Sequence, residues 1–193
     1  MGCGLENVLI VSSSDKGIDV LTHLLRTGTY CVTHVARSGG EAFRCSDEAD
    51  FRIIIINTPL TDEFGTDLAV SLSKNTTAGI IILVKSEIIE DVSLKLEPLG
   101  ILVVGKPVNR NLFMQAVNLA EASGKRIELY RNENIKLRTK IEELKIVNRA
   151  KCALIQYLNI TEREAHRYIE KQAMDLRLTR REIAENIIKT YEM

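Results

Sequence analysis

Ile53-Ile54-Ile55-Ile56-Asn57 is an unbroken run of four β-branched apolar residues closed by an amide. A strand with no polar side chain has no face to give to water, so it belongs inside a parallel sheet covered on both sides. The same kind of run recurs at Val8–Val11, Gly79–Val84 and Ile101–Val104, and Cys31–Val35 is strand-like. Helical spacing fills the intervals. Ile18, Leu21, Leu24 and Leu25 form a stripe ending near Gly28, and Leu68, Val70 and Leu72 form another. Glu41–Cys45 reads as a short helix behind Gly39-Gly40, where the chain is expected to turn. Val92, Leu94 and Leu96 mark a weaker helix that stops near Gly100, and Asn109 opens the last one. Five buried strands alternating with helices predict an α/β domain built on a five-stranded, doubly wound parallel sheet.

In such sheets chemistry sits beyond the carboxyl ends of the strands, at the switch in strand order. Those ends carry Ser12-Ser13, Asn57, Lys85-Ser86 and Lys106-Pro107. The arrangement resembles the receiver domain of two-component response regulators, a flavodoxin-like fold, over about residues 7–123. The landmarks are Asn57 eight residues before Gly65 and the Lys106-Pro107 pair, whose peptide bond the resemblance implies to be cis. The departures concern chemistry. Receivers place acidic residues where Ser12 and Ser13 stand, and the phosphorylated aspartate where Asn57 stands. An amide is no nucleophile, and two hydroxyls do not hold Mg²⁺ as paired carboxylates do. Val84, Lys85 and Ser86 all compete for the switch position, and only Lys106 remains of the phosphate-sensing set. The domain therefore reads as a pseudo-receiver with no metal and no cofactor. Asp15 and Asp62 are near in sequence but do not restore a metal site. Two roles for Asn57 stay open: an inert hydrogen-bonded plug with Lys106, or the floor of a pocket for a regulatory ligand or partner protein.

The 193-residue chain is formally neutral, yet residues 1–124 hold 10 Lys and Arg against 15 Asp and Glu, while residues 125–193 hold 16 against 11. The acidic first part and basic second part point to an anionic partner for the latter, or to contact between the two. Four scattered cysteines (Cys3, Cys31, Cys45, Cys152) fit a reducing cytoplasm. Met1–Val8 lacks the apolar core of a signal peptide, and no apolar run is long enough to span a membrane.

No flexible linker follows the first domain. Leu112, Phe113, Ala116, Leu119 and Ala120 run through Ser123-Gly124, a kink, a hinge or a tolerated glycine, into a charged helical pattern. There Ile127, Tyr130, Asn134, Leu137, Ile141, Leu144 and Asn148 alternate steps of three and four, the a/d seam of a coiled coil about three heptads long. Asn134 and Asn148 take a positions, where a buried amide pair sets register. A parallel homodimer is the expected use, with packing on the same chain as the alternative.

Beyond Asn148 the apolar face broadens to Ala150, Ala153, Leu154, Tyr157 and Leu158. Thr161 with Glu164, then Thr179 with Glu182, are capping boxes that open two further helices. The second carries Ala165, Tyr168, Ile169, Gln172 and Ala173 on one face, with Tyr168 expected in the core. The third carries Ile183, Ala184, Ile187 and Ile188. The series Arg149-Ala150-Lys151, Leu154, Thr161-x-x-Glu164-Ala165, Tyr168-Ile169, Ala173-Met174, Leu178, Ile183-Ala184 and Ile187 resembles the ANTAR domain, the family of RNA-binding antiterminators named after AmiR and NasR. Cys152 stands where that family often has glycine. The resemblance implies a dimer that binds paired hairpins in nascent mRNA leaders. Arg149 and Lys151 match the motif, while Arg163, Arg167, Lys171, Arg180 and Arg181 are RNA candidates on charge and helical position alone. His166 and Tyr168 are candidates to stack on a base.

The expected organisation is a pseudo-receiver at 1–123, a coiled-coil connector at 124–147 and an all-α three-helix domain at 148–193. The competing readings are a DNA-binding regulator and a coiled-coil adaptor that binds only protein. No carboxylate pair, metal cluster or nucleophile–base pair suggests an enzyme.

Overall fold

The computed structural model describes residues 6–26 and 30–191, so Cys3 and the helix end expected near Gly28 lie outside the described residues. Two compact units emerge, residues 1–130 and 131–193.

The first unit is a five-stranded parallel sheet of β1 (Glu6–Ser12), β2 (Tyr30–Ala36), β3 (Ile53–Asn57), β4 (Gly79–Lys85) and β5 (Leu102–Lys106) in the order β2-β1-β3-β4-β5. The four consecutive isoleucines divide by the two-residue period of a strand. Ile54 and Ile56 enter a core with Leu68, Ala69 and Leu72 of α3 (Thr66–Asn75) and with Val92 and Leu96 of α4 (Ile89–Leu96). Ile53 and Ile55 enter the opposite core with Leu21 and Leu25 of α1 (Asp15–Leu25) and with Phe113 and Val117 of α5 (Arg110–Leu158). All four are fully buried, each contributing about 1.5–3 kcal/mol relative to exposure. β3 is thus buried on both faces, as its sequence implies, and stands in the middle of the sheet.

Two local expectations need correction, and a third is decided. Gly39 and Gly40 are not a turn ahead of a helix: α2 (Gly39–Glu48) begins at Gly39, capped by the Ser38 hydroxyl. Asp62 accepts the N–H groups of both glycines, at 2.8 and 3.1 Å, so the first-turn donors are satisfied from another loop. Leu94 faces solvent while Val92 and Leu96 of the same helix are buried, because α4 covers the sheet with one narrow face. Ser123-Gly124 interrupts nothing, since α5 runs as one helix from Arg110 to Leu158. Gly124 is needed for close approach: a Cβ there would lie 2.8 Å from the Gly79 nitrogen and the Thr77 carbonyl oxygen. A Cβ on Gly79 would lie 2.1 Å from the Ala120 oxygen. Helix and strand meet backbone to backbone, and Tyr30 adds a hydrogen bond to Glu121 of 2.7 Å.

The second unit packs the end of α5 with α6 (Glu162–Leu176) and α7 (Arg180–Tyr191). Its core joins Val147, Ala150 and Leu154 to Ala165 and Ile169, and to Ile183, Ala184 and Ile187. Ala150, Ala165 and Ala184 are completely buried, which is how three short helices approach closely enough to share one core. Both capping boxes form: Glu164 accepts from the Thr161 N–H at 2.8 Å, and Glu182 from the Thr179 N–H at 2.7 Å. α6 ends on Arg177 at φ 54°, with the Leu178 N–H closing back on the Ala173 carbonyl. Tyr168 is not in the core: it is 42% exposed, and Ala165, Ile169 and Ala173 supply the inner face instead. Tyr157 and Leu158, expected on the apolar face, are half exposed, and Tyr157 stacks on Tyr191 with ring centres 5.3 Å apart.

Candidate functional site

The carboxyl edge of the sheet places Ser12 and Asn57 in register on adjacent strands, β1 and β3, where the strand order reverses. Asn57 Nδ2 donates to Ser12 Oγ at 2.9 Å, and the Ser12 hydroxyl donates in turn to the Ser14 carbonyl at 3.2 Å. The first turn of α1 lies directly on this pair: a Cβ at Gly17 would sit 2.4 Å from Asn57 Nδ2 and 2.9 Å from Ser12 Oγ. Ser13 is drawn aside, donating to the Pro59 carbonyl at 2.9 Å. The hydrogen-bonded pair at this edge is therefore Asn57 with Ser12, not Asn57 with Lys106. Lys106 is bonded elsewhere, its ammonium donating to the Thr58 carbonyl. Burial, and secondarily the Lys85 ammonium, hold Lys106 below the ordinary lysine range. The Lys106-Pro107 bond is cis, and so is Thr58-Pro59, which the sequence does not announce.

The nearby acids are engaged. Asp15 pairs with Arg37 at 2.6 Å. Asp62, through the Gly39 and Gly40 N–H groups, titrates below the ordinary carboxylate range. Among the described residues no group of three metal-type ligands converges. Asn57 places an amide, and Ser12 and Ser13 place hydroxyls, at this edge of the sheet.

The seam residues of α5 are left partly uncovered in this chain. Ile127, Tyr130, Leu137, Ile141 and Leu144 are 43–58% exposed. Asn134 and Asn148 are exposed as well. Arg126 donates to the Tyr130 hydroxyl and stacks over its ring at 5.5 Å.

The basic candidates divide into three groups. Lys151 is largely covered and paired with Glu162 at 2.8 Å, which holds that glutamate below its ordinary range. Arg180 lies 3.5 Å from Glu170, and Arg181 lies 2.9 Å from Glu185 on the same helix. Arg163, Arg167 and Lys171 project from α6 into solvent, and Arg149 is exposed on α5. These residues share one small bundle without converging on one point.

A groove of about 620 Å³ opens between α5, His166 of α6 and Arg180 of α7. Leu144 and Val147 contribute apolar surface, and Lys136, Lys140, Lys151 and Arg180 contribute positive charge. Lys136 and Lys140 are cations that sequence reasoning passes over, because they flank a heptad seam and read as solvated coil charges. Their four-residue spacing, which puts both on one helix face, is the signal that was available.

Comparison with known proteins finds a likeness for this bundle. Residues 136–188 match the ANTAR domain family. Over that stretch the chain is similar to the ANTAR domain. The match takes in the second half of the seam, all seven basic candidates and both capping boxes. It starts within the long helix, near the division between compact units after Tyr130. The transcriptional regulatory protein PdtaR of Mycobacterium tuberculosis (strain H37Rv) is 25% identical over 170 residues, covering 88% of this chain and 83% of the relative. Upstream of the ANTAR domain the fold is that of receivers. The chemotaxis response regulator CheY4 of Vibrio cholerae superposes with a TM-score of 0.52 at 21% identity, covering 60% of this chain and 98% of that one. A CheY-like receiver domain protein from Methanospirillum hungatei JF-1 gives 0.54 at 20% identity, covering 64% and 98%. Receiver-type sheet, long helix and ANTAR domain follow one another in a single chain. Among the described residues no helix is long and apolar enough to cross a membrane.

Proposed function

We propose that this protein is a transcription antitermination regulator whose ANTAR domain binds hairpins in mRNA leaders, as a dimer held by the α5 seam, without phosphorylation of its receiver unit. The observation that carries the reading is the ANTAR match over the three-helix bundle, residues 136–188. Its surface fits an RNA ligand: Arg149, Arg163, Arg167 and Lys171 stand exposed, with Lys151, Arg180 and Arg181 beside them in ion pairs that RNA phosphates compete for. The exposed seam of Ile127, Tyr130, Asn134, Leu137, Ile141, Leu144 and Asn148 supports a parallel pair, which matches two ANTAR bundles to two hairpins. The Asn57–Ser12 pair under Gly17 supports a receiver unit that serves as scaffold or partner-binding surface in a regulator rather than an enzyme. The domain organisation that follows is a pseudo-receiver through residue 123, a connector through 147 and the RNA-binding bundle to 193.

A second reading has one observation in its favour. α6 and α7 are joined by only Arg177, Leu178 and Thr179, a connection as short as that of a DNA-binding helix-turn-helix. Fluorescence anisotropy separates the two. The full-length protein, titrated with a two-hairpin RNA and with the same sequence as DNA at several salt concentrations, is expected to bind the RNA with a steep salt dependence and the DNA at least tenfold more weakly. Equal or tighter binding of the DNA overturns the RNA assignment.

A further inference from the structure

We infer that a parallel pair of α5 helices builds a composite phosphate site on each flank of its seam, Lys140 of one copy beside Lys145 of the second, so that pairing of the chains and binding of the RNA backbone strengthen one another. The inference rests on the dimer and RNA readings above and adds how the two are linked.

The seam fixes what lies beside it. With Ile127, Asn134, Ile141 and Asn148 at a, the flanking e positions are Arg131, Arg138 and Lys145, and the g positions include Arg126, Glu133 and Lys140. In a parallel, in-register pair each g faces the e five residues further along the other helix. The facing pairs are then Arg126 with Arg131, Glu133 with Arg138, and Lys140 with Lys145. Only the middle pair is complementary. Sliding one copy by a heptad still sets Lys140 against a cation, because every one of these e positions is basic, and reversing one copy sets e against e. One glutamate does not answer three basic e positions, so two copies alone leave cations facing cations.

Contacts within the chain separate the cations already engaged from those left for a ligand. Arg126 is engaged by Tyr130, donating to its hydroxyl at 3.2 Å and stacking over its ring. Lys140 is exposed and pairs with no acid among the described residues. Lys136 is exposed one turn before it on the same face of α5. Lys145 is exposed and reaches Glu142 only at 3.7 Å, a surface contact of little worth. The neighbouring acids serve another cation: Arg181 of α7, held above its ordinary range chiefly by Glu185, is drawn further the same way by Glu142 and Glu143. Two ammonium groups brought together suit an anion with several acceptor oxygens. A row of phosphates supplies it without needing apolar surface. An acidic helix fits less well, because the apolar seam it would pack on is used by the second copy. A ligand that binds the paired form tightens pairing by the factor by which pairing tightens its own binding.

The test uses the full-length protein and a fluorescent two-hairpin RNA, with dimerisation followed by sedimentation and RNA binding by anisotropy. Without RNA, the parent dimer should tighten as salt rises from about 50 to about 300 mM, since screening weakens the repulsion. Lys145→Glu turns two facing pairs per dimer from like to opposite charge. Without RNA it should tighten the dimer roughly tenfold at low salt. It should nevertheless weaken RNA binding by about tenfold or more and lower the slope of log K against log salt by about 1.5, two contacts at roughly 0.7–0.9 each. A residue that merely holds α5 together would weaken both, so the opposite signs mark the phosphate site. Lys145→Gln should show the same two signs with smaller size. Lys74→Glu, the same charge change on the first unit, should alter neither by more than about twofold. If K145E loosens the dimer, or binds the RNA like the parent, the composite site is refuted. If poly-glutamate tightens the parent dimer as much as the RNA does, the flank takes acidic protein and the phosphate assignment falls. A parent that binds RNA as a monomer overturns the dimer reading, a parent that binds no RNA overturns the RNA reading, and the site falls with either.

Discussion

Replacing Leu137 and Ile141 together by lysine tests whether the α5 seam joins two chains. Both residues lie between the Asn134 and Asn148 seam positions, outside the groove, and they are 55% and 53% exposed. About half of each side chain therefore remains to be covered by a partner. Full burial of Leu or Ile is worth about 1.5–3 kcal/mol, so covering the remaining half contributes about 1 kcal/mol per side chain. The five apolar seam residues in two copies then give about 10 kcal/mol, against an association penalty of about 4–15 kcal/mol. The dimer is expected to be marginal, and four buried side chains are a large share of what holds it. Their loss removes about 4 kcal/mol, roughly a thousandfold in Kd, before four facing ammonium groups are added. Sedimentation equilibrium of full-length parent and variant measures this directly, with circular dichroism confirming that helix content is retained. The variant should be monomeric at concentrations where the parent is half dimeric. A variant that dimerises like the parent would refute the seam as the interface.

Three further outcomes follow from individual contacts. Gly79→Ala forces a Cβ against the Ala120 carbonyl, a backbone atom that does not swing aside, and should destabilise the first unit by about 3 kcal/mol, whereas Gly100→Ala meets open space and should lose only about 1 kcal/mol for its φ of +75°. Thermal unfolding followed by circular dichroism ranks the two, and equal melting temperatures would contradict the packing described. Asn57→Asp alone should gain no 80 Da adduct from acetyl phosphate and Mg²⁺ in intact mass spectra, because Ser12 and Ser13 still lack the carboxylates that hold the metal. Glu162, Glu164 and Glu182 are all held below the ordinary glutamate range, the first by Lys151 and the others by their capping threonines. A carboxylate with a depressed folded pKa contributes stability above its unfolded pKa and loses it as pH falls through the folded value. The melting temperature of the bundle should therefore drop on the acid side of the ordinary carboxylate range, and less steeply for Glu164→Gln, which removes one of these carboxylates. An unchanged acid profile in that variant would show that the capping box does not set it.

The sheet was legible because burial on two faces writes itself as unbroken apolar runs, as Ile53–Ile56 show. The capping boxes were equally plain, since Thr161 and Glu164 satisfy each other within four residues. What was not legible depends on distant partners. Gly39-Gly40 resembled a turn because the carboxylate that finishes the α2 terminus, Asp62, belongs to another loop. Gly124 resembled a weak point because Gly79 and Thr77, which require it to lack a side chain, lie some 45 residues away. Asn57 was placed correctly, but its partner is Ser12 rather than Lys106, a choice made by the β1–β3 register. Charge alone picked out Lys151 without showing that Glu162 already holds it, and passed over Lys136 and Lys140.

The central claim is that the ANTAR domain acts on RNA without phosphate on the receiver unit. Single-round transcription of a template whose leader carries tandem hairpins overlapping a terminator tests it, using purified protein never exposed to a phosphodonor. The account predicts that readthrough rises with added protein and is unchanged by acetyl phosphate and Mg²⁺. Readthrough that requires the phosphodonor, or no readthrough from protein that binds the leader, would contradict it.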